Sequence, residues 1–357
     1  MTSPQKNAVV LFQLGGPDSL DAVEPFLYNL FSDPDIIDFP GAFVARRPLA
    51  KFIASRRSRK VAEQYRDIGG RSPIGELTSA QAQALQAELN KHLDAKVFVA
   101  MRYWHPFTSE AVESLKKDGF SRIILLPLYP QFSRATTISS FREWSRQCKI
   151  RKFNHPSVEQ ICCYHNHPLY IESIADNINA VYRKFSRPDP SDIYLVFSAH
   201  GVPASLIAGG DPYQLQIETT VSLVVEKGGW KSPHVLCFQS KVGPGEWLKP
   251  SLRTTMRELA SKGAKHLLVI PIAFVTEHIE TLHEINIEAR EEARHLGIEQ
   301  FEMMPALNNH PKFISCLSDL VLKKTAGQMI DLPGCRDLTK TGRPLPVLCP
   351  HWTRPSR

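Results

Sequence analysis

The sequence predicts an α/β protein made of two similar domains, each built on a parallel sheet. Three observations point there. Short, nearly continuous apolar runs alternate with amphipathic helical stretches, the pattern of parallel strands covered on both faces. The runs recur in the same order in the two halves of the chain. A chain of 357 residues is also roughly two domains long.

In the first half, NAVVLFQL, AKVFVAMRY and SRIILLPLY read as strands; in the second, DIYLVFSAH, HVLCFQS and KHLLVIPIAF do. The strand ends correspond. Leu-Gly-Gly-Pro at 14–17 answers His-Gly-Val-Pro at 200–203, and Arg-Tyr-Trp-His-Pro at 102–106 answers Ser-Lys-Val-Gly-Pro at 240–244. The stretch 116–133 answers 260–277, with Gly119 over Gly263 and Pro127 over Pro271. Three matched motifs in one order indicate a duplication; chance likeness between βα units is the alternative. The crossover is expected near the Pro-rich stretch at 187–190 or somewhat before it. Ligands of open α/β sheets sit beyond the carboxyl ends of the strands. The halves are therefore expected to face each other across one cleft.

The composition, 43% hydrophobic and 22% charged, is that of a soluble globular protein. Seven scattered cysteines, an odd number, read as reduced thiols in a cytosolic-type compartment. The N-terminus lacks the pattern of a secretory signal, and no run reaches the ~18 apolar residues of a spanning helix. The net charge of +7 suits nucleic acid, anionic lipid or an acidic small molecule. No zinc-finger or RNA-recognition signature is present, so nucleic acid is not an expected partner. The densest basic cluster, residues 45–60, interleaves Arg and Lys with Phe, Leu and Ile. It reads either as a solvated helix face or as a surface for anionic lipid or a carboxylated ligand.

Two features carry chemistry. His200 closes a strong strand ahead of Gly201 and Pro203, a place that holds an imidazole at the lip of a sheet. Neutral imidazole suits divalent metals and accepts a proton near neutral pH. The second feature is FVTEHIETLHEINIE, residues 274–288, which is expected to open a helix with Thr276 as its N-cap. Glu280, Glu284 and Glu288 then recur every four residues and share one helix face. Such a row conducts cations or protons, or is an ordinary solvated face. His278 and His283 lie beside it.

Taken together, these motifs resemble the ferrochelatases, enzymes that insert ferrous iron into a porphyrin. The resemblance runs from about Val9 to Leu320. Its landmarks are LGGPDSL, FSDPDII, QYRDIGGRSPI, RYWHP, LYPQFS, FSAHGVP, GDPY, QSKVGPGEWL and IAFVTEHIETLHE. The resemblance implies two chelatase-type, Rossmann-like domains with four-stranded parallel sheets. The expected division is 1–175, including a lid at about 21–79; 176–310; a helix at 311–327 packing back on the first domain; and a flexible tail at 328–357. It implies that His200 binds metal or takes pyrrole protons, that Glu280 is its carboxylate partner in catalysis and metal binding, and that His278 orients Glu280. Glu284 and Glu288 match the family's outer acidic line, a conduit for metal or protons. Arg57, Ser72, Ser240 and Lys241 match residues that hold propionates, and Leu14, Tyr65, Arg102, Tyr103, Tyr129, Trp247 and Phe274 match the pocket lining.

Iron is a substrate here, and no cofactor is expected. The internal cysteine of cluster-bearing relatives is replaced by Arg134, and the tail offers only Cys335 and Cys349, so no [2Fe-2S] cluster is expected. Cys162 and Cys163 form a further pair without an assigned role. Leu14 stands where the coproporphyrin-using branch has tyrosine, which favours protoporphyrin IX. Coproporphyrin III ferrochelatase and a non-catalytic porphyrin or haem carrier are the alternatives; the GDPY and QSKVGP motifs argue against a sirohydrochlorin chelatase. The lid is expected to meet a membrane surface, with the protein cytoplasmic and peripheral on the inner membrane. The oligomeric state carries no expectation.

Overall fold

The computed structural model describes residues 6–34, 36, 42–154, 157–185, 189–241 and 245–328. The expectations for Cys335, Cys349 and the tail beyond Gln328 lie outside these residues, as do residues 35 and 37–41 of the expected lid. The described chain forms two compact units, 1–129 with 133–162 and 317–330, and 130–132 with 163–316 and the remainder.

In the first unit, β1 (Asn7–Gln13), β2 (Ala95–Met101), β3 (Arg122–Pro127) and β4 (Ser157–Gln160) make one sheet in the order β2-β1-β3-β4, parallel throughout. All seven residues of β1 are buried. That is the burial a central parallel strand needs when helices cover both faces. The helices are α1 (Val23–Phe31), α2 (Ala42–Asp67), α3 (Ile74–Leu89), α4 (Thr108–Asp118) and α5 (Ser139–Ile150). One face of the sheet packs Val10, Phe12, Ile123 and Leu125 against Leu115 of α4 and Phe141 and Trp144 of α5. Phe12 meets the latter two rings edge-on at 5.8 and 6.2 Å. In α4 the Glu110 carboxylate accepts the Phe107 amide at the first turn. Gly119 ends the helix at φ +62°, a left-handed conformation that glycine adopts without strain.

The second unit repeats the arrangement. Strands β5 (Ile193–His200), β6 (His234–Gln239), β7 (His266–Pro271) and β8 (Gln300–Met303) are parallel in the order β6-β5-β7-β8. Helices α6 (Pro168–Tyr182), α7 (Ala204–Ala208), α8 (Tyr213–Gly228), α9 (Leu252–Ser261) and α10 (Arg290–His295) belong to this unit, while α11 (Pro311–Thr325) starts in it and from Leu317 onward belongs to the first. Ser251 caps α9, accepting the Thr254 amide at 3.1 Å. Gly263 follows α9 at φ +88°, in the place Gly119 holds after α4.

Two four-stranded parallel sheets flanked by helices are therefore present, as expected. The six strong runs are all strands. The structure adds β4 and β8, each only four residues long and carrying Glu and Gln among its residues. Each completes one edge of its sheet.

Candidate active site

His200 is the last residue of β5 and pairs with Gln239 at the end of β6. Its position is fixed from several sides. The Tyr213 hydroxyl donates to the His200 carbonyl at 3.0 Å. Tyr213 is itself held by its motif, since Asp211 Oδ1 accepts the Tyr213 amide at 3.0 Å where α8 begins. The Gly201 amide donates to the Gln239 carbonyl at 2.7 Å. A Cβ at Gly201 would stand 2.9 Å from that same oxygen, so no side chain fits there. The His200 Nδ1 faces the Gly201 carbonyl at 2.5 Å. A carbonyl only accepts, so Nδ1 carries the hydrogen and Nε2 is left to bind a proton or a metal.

Glu280 opens a ten-residue helix, Glu280–Ala289, wound as a π-helix. Its Oε2 lies 3.7 Å from His200 Nε2 and 3.7 Å from His278 Nε2. This oxygen is buried and carries no hydrogen bond within normal distance. Burial alone favours the neutral acid. The imidazoles of His200 and His278 overcome that and hold the Glu280 carboxyl down at about 2. His278 shows the converse. Burial works against its charge, but Glu280, the Thr276 carbonyl and Glu277 together raise its pKa. His278 Nδ1 is 3.0 Å from the Thr276 carbonyl, which turns Nε2 toward Glu280. The Phe274 ring meets His278 at 4.5 Å and His200 at 6.4 Å between centroids, both edge-on.

The expected N-cap is corrected. Thr276 does not cap the helix: the cap position is Ile279, without a side-chain bond. Thr276 instead supplies the carbonyl that orients His278, and Thr281 Oγ1 accepts the His278 amide at 3.1 Å. The winding is also different from the expected α-helix. An i→i+5 pattern adds about one residue to each turn, so residues four apart fall just short of a full turn. Glu280, Glu284 and Glu288 still share a face. Glu284 is raised above the ordinary carboxylate range by burial and by the charge of Glu280, partly offset by Ser240. Glu288 is exposed, 3.6 Å from His283 Nδ1.

Sequence reasoning did not single out Glu277 or Gln239. The buried Glu277 carboxylate accepts the Ala306 amide at 2.8 Å and the Thr281 hydroxyl, tying the helix start to the segment after β8. Gln239 accepts from Ser198 at 2.7 Å and donates to the Glu280 carbonyl at 3.4 Å. Ser240, expected among propionate ligands, uses its amide (2.9 Å) and hydroxyl on Glu284. Lys241 is exposed, and Trp247 forms an antiparallel bridge with Pro203.

In the first unit, Arg102 and Tyr103 follow β2. Arg102 Nη2 pairs with Asp33 Oδ2 at 2.9 Å, and its Nε donates to Ser139 Oγ at 2.8 Å. Tyr103 is 2% exposed and donates to Asp33 at 2.6 Å. Burial and the Asp33 charge push the Tyr103 phenol well up; Tyr129 is raised by burial too. Tyr65 and Ser72 are likewise buried, Leu14 is half-buried, and Arg57 is exposed on α2 over the Phe31 ring at 5.5 Å. Among the described residues no group of three or more His, Cys, Asp or Glu is placed to hold a metal ion.

The ferrochelatase family model matches residues 6–325. The chain belongs to the ferrochelatase family. It is 46% identical over 325 residues to the ferrochelatase of Cyanothece sp., covering 89% of this chain and 82% of that one. It is 48% identical over 317 residues to that of Geotalea daltonii (89% and 97% covered) and 48% over 316 to that of Aquifex aeolicus (88% and 98%). The chain is thus a metal-inserting chelatase, a lyase of haem biosynthesis. In fold it is similar to SirB from Bacillus subtilis with Fe3+, at a TM-score of 0.54 and 12% identity over 91% of this chain and 98% of that one. It is also similar to DR2241 from Deinococcus radiodurans, at 0.51 and 14% over 94% and 59%.

Proposed function

We propose that this ferrochelatase inserts Fe(II) into protoporphyrin IX through His200 and Glu280. The observation that carries the reading is the buried Glu280 oxygen set between two imidazole nitrogens. Insertion breaks two pyrrole N–H bonds, forms four bonds from nitrogen to iron, and releases two protons. His200 Nε2, 3.7 Å from the Glu280 carboxylate and with Nδ1 committed to the Gly201 carbonyl, acts as the base that takes a pyrrole proton, and Glu280 stabilises the imidazolium that forms. Glu280 stays ionised at every physiological pH and so offers the incoming dication a donor without first losing a proton. His278 positions and balances that carboxylate.

Glu284 and Glu288 serve as the conduit. A raised Glu284 next to a depressed Glu280 makes the outer group the easier one to protonate, which suits outward proton passage. A two-donor iron contact also fits a substrate metal: fewer ligands hold the ion less tightly and let it leave for the macrocycle. The propionates fall to Arg57, Ser72, Lys241 and Ser240, the last on release from Glu284; the macrocycle falls to Leu14, Tyr65, Arg102, Tyr103, Tyr129, Trp247 and Phe274. Protoporphyrin is favoured over coproporphyrin by Leu14.

The lid reading adds a membrane surface. On α2, Phe52 is 59% exposed and Arg56 lies over its ring at 5.7 Å, an apolar anchor beside cationic groups. No helix among the described residues is long and apolar enough to cross a membrane. A cytoplasmic protein peripheral on the inner membrane is the matching location. The test is anaerobic incubation of the protein with ferrous ion and either porphyrin, followed by absorbance. Rapid metallation of protoporphyrin IX is expected. Preference for coproporphyrin III would transfer the substrate assignment, and binding without metallation would leave a carrier.

A further inference from the structure

A buried polar cluster in the first unit centres on Asp33, just after α1. Its side chain is fully buried, and one oxygen, Oδ2, takes three partners: Arg102 Nη2 at 2.9 Å, the Tyr103 hydroxyl at 2.6 Å and the Ser139 hydroxyl at 2.6 Å. Ser139 also accepts from Arg102 Nε at 2.8 Å, so Asp33, Ser139 and Arg102 close a ring. The guanidinium lies over the Tyr103 ring at 5.0 Å, and the Asn29 amide of α1 donates to the Tyr103 carbonyl at 3.1 Å.

A guanidinium presents five N–H donors in a rigid plane. Here one edge is fixed through Nε and Nη2, while Nη1 carries no hydrogen bond among the described residues. The Arg102 side chain remains 16% exposed. An arginine serving only as a core ion pair has no use for an accessible, unsatisfied nitrogen, since a buried pair gains from satisfying every donor. A fixed plane with one free nitrogen is instead a pre-oriented donor, whose ordering cost is met before any ligand arrives.

We propose that Asp33 is a positioning residue for porphyrin binding, holding Arg102 so that its free Nη1 faces an acceptor on the substrate. The inference rests on the porphyrin-binding role proposed for Arg102. Asp33 acts through Arg102, with Ser139 as the second tether, and its loss weakens substrate binding more than the insertion step.

A double-mutant cycle tests this with two readouts: quenching of protein fluorescence by protoporphyrin IX without metal, and anaerobic insertion kinetics. Asp33→Asn is expected to weaken porphyrin affinity about tenfold, the size of a lost charged hydrogen bond, with kcat held within about twofold. Ser139→Ala gives a smaller loss in the same direction. In an Arg102→Gln background neither change has a further effect, because their action runs through that side chain. Wild-type affinity in Asp33→Asn, or an equal loss in the Arg102→Gln background, overturns the proposal. Should Asp33→Asn not fold, the Ser139→Ala and Arg102→Gln cycle decides by the same criterion. A wild type that binds porphyrin but inserts no iron defeats the functional reading alone; additive losses with insertion intact defeat only the role of Asp33.

Discussion

The carboxyl ends of the two sheets share a strand order and differ in charge logic. In the first unit a buried carboxylate fixes a cation, Asp33 holding Arg102. In the second, two imidazoles fix an anion, His200 and His278 flanking Glu280. The frame is the same parallel sheet both times. The chemistry comes from the loops and helix starts beyond the strand ends, so one frame carries a donor end in the first unit and an acceptor end in the second. On the proposed reading the acceptor end takes metal and protons, and the donor end an anionic substrate.

This contrast is sharpest at His200. Removing the proposed base by His200→Ala is expected to lower kcat for iron insertion by about a thousandfold, with circular dichroism and the thermal midpoint little changed. Comparable turnover would shift the base to another residue. Glu280→Gln, which keeps shape and removes charge, is expected to cost about a hundredfold in kcat.

Glu280→Gln also reads out in stability. The folded pKa of Glu280 lies near 2, below the ordinary 4.5, so its ionised form stabilises the fold above 4.5. That contribution is lost as pH falls from 4.5 toward 2. The stability gap between wild type and Glu280→Gln should therefore close across that acid window in denaturant titrations. His278 runs the other way. Its folded pKa is raised above 6.5, so its contribution is complete below 6.5 and disappears as pH rises through the folded value. The gap between wild type and His278→Ala should narrow toward alkaline pH; a constant gap would mean that packing rather than charge dominates.

Glu277→Ala leaves the Ala306 amide without its acceptor and should cost about 1–3 kcal/mol of stability by urea unfolding. The smallest effect is expected at the exposed end of the acidic row. Glu288→Gln should change kcat by no more than about threefold, against a larger loss for the half-buried Glu284→Gln, measured at limiting ferrous ion.

Much of this was legible in the sequence, for physical reasons that differ by element. The six central strands are long apolar runs, and a buried parallel strand has no other way to look. The edge strands β4 and β8 are four residues each and polar enough to pass for loop. His200 and His278, each 3.7 Å from Glu280, could be singled out with it because a strand end and the approach to a helix carry them within two short motifs. Asp33 was quoted only within FSDPDII, because its partners Tyr103 and Ser139 lie 70 and 106 residues away and the sequence does not show them meeting. Tyr213 was quoted only as part of a motif; its hydroxyl's use on the His200 carbonyl needed coordinates. The winding of 280–289 was missed because α and π helices place every fourth residue on one face alike.

That winding sets how the acidic row tolerates changes in length. A π-helix carries about one extra residue per turn, so deleting a single residue within 281–283 would let the segment relax toward α-helical winding. Glu284 would then stand three residues after Glu280, still about one turn along and on the same face. Shortening the chain there by one residue should therefore disturb the row less than replacing Glu284 itself. One turn of either winding separates the carboxylates, so the row tolerates a change in chain length that keeps them a turn apart.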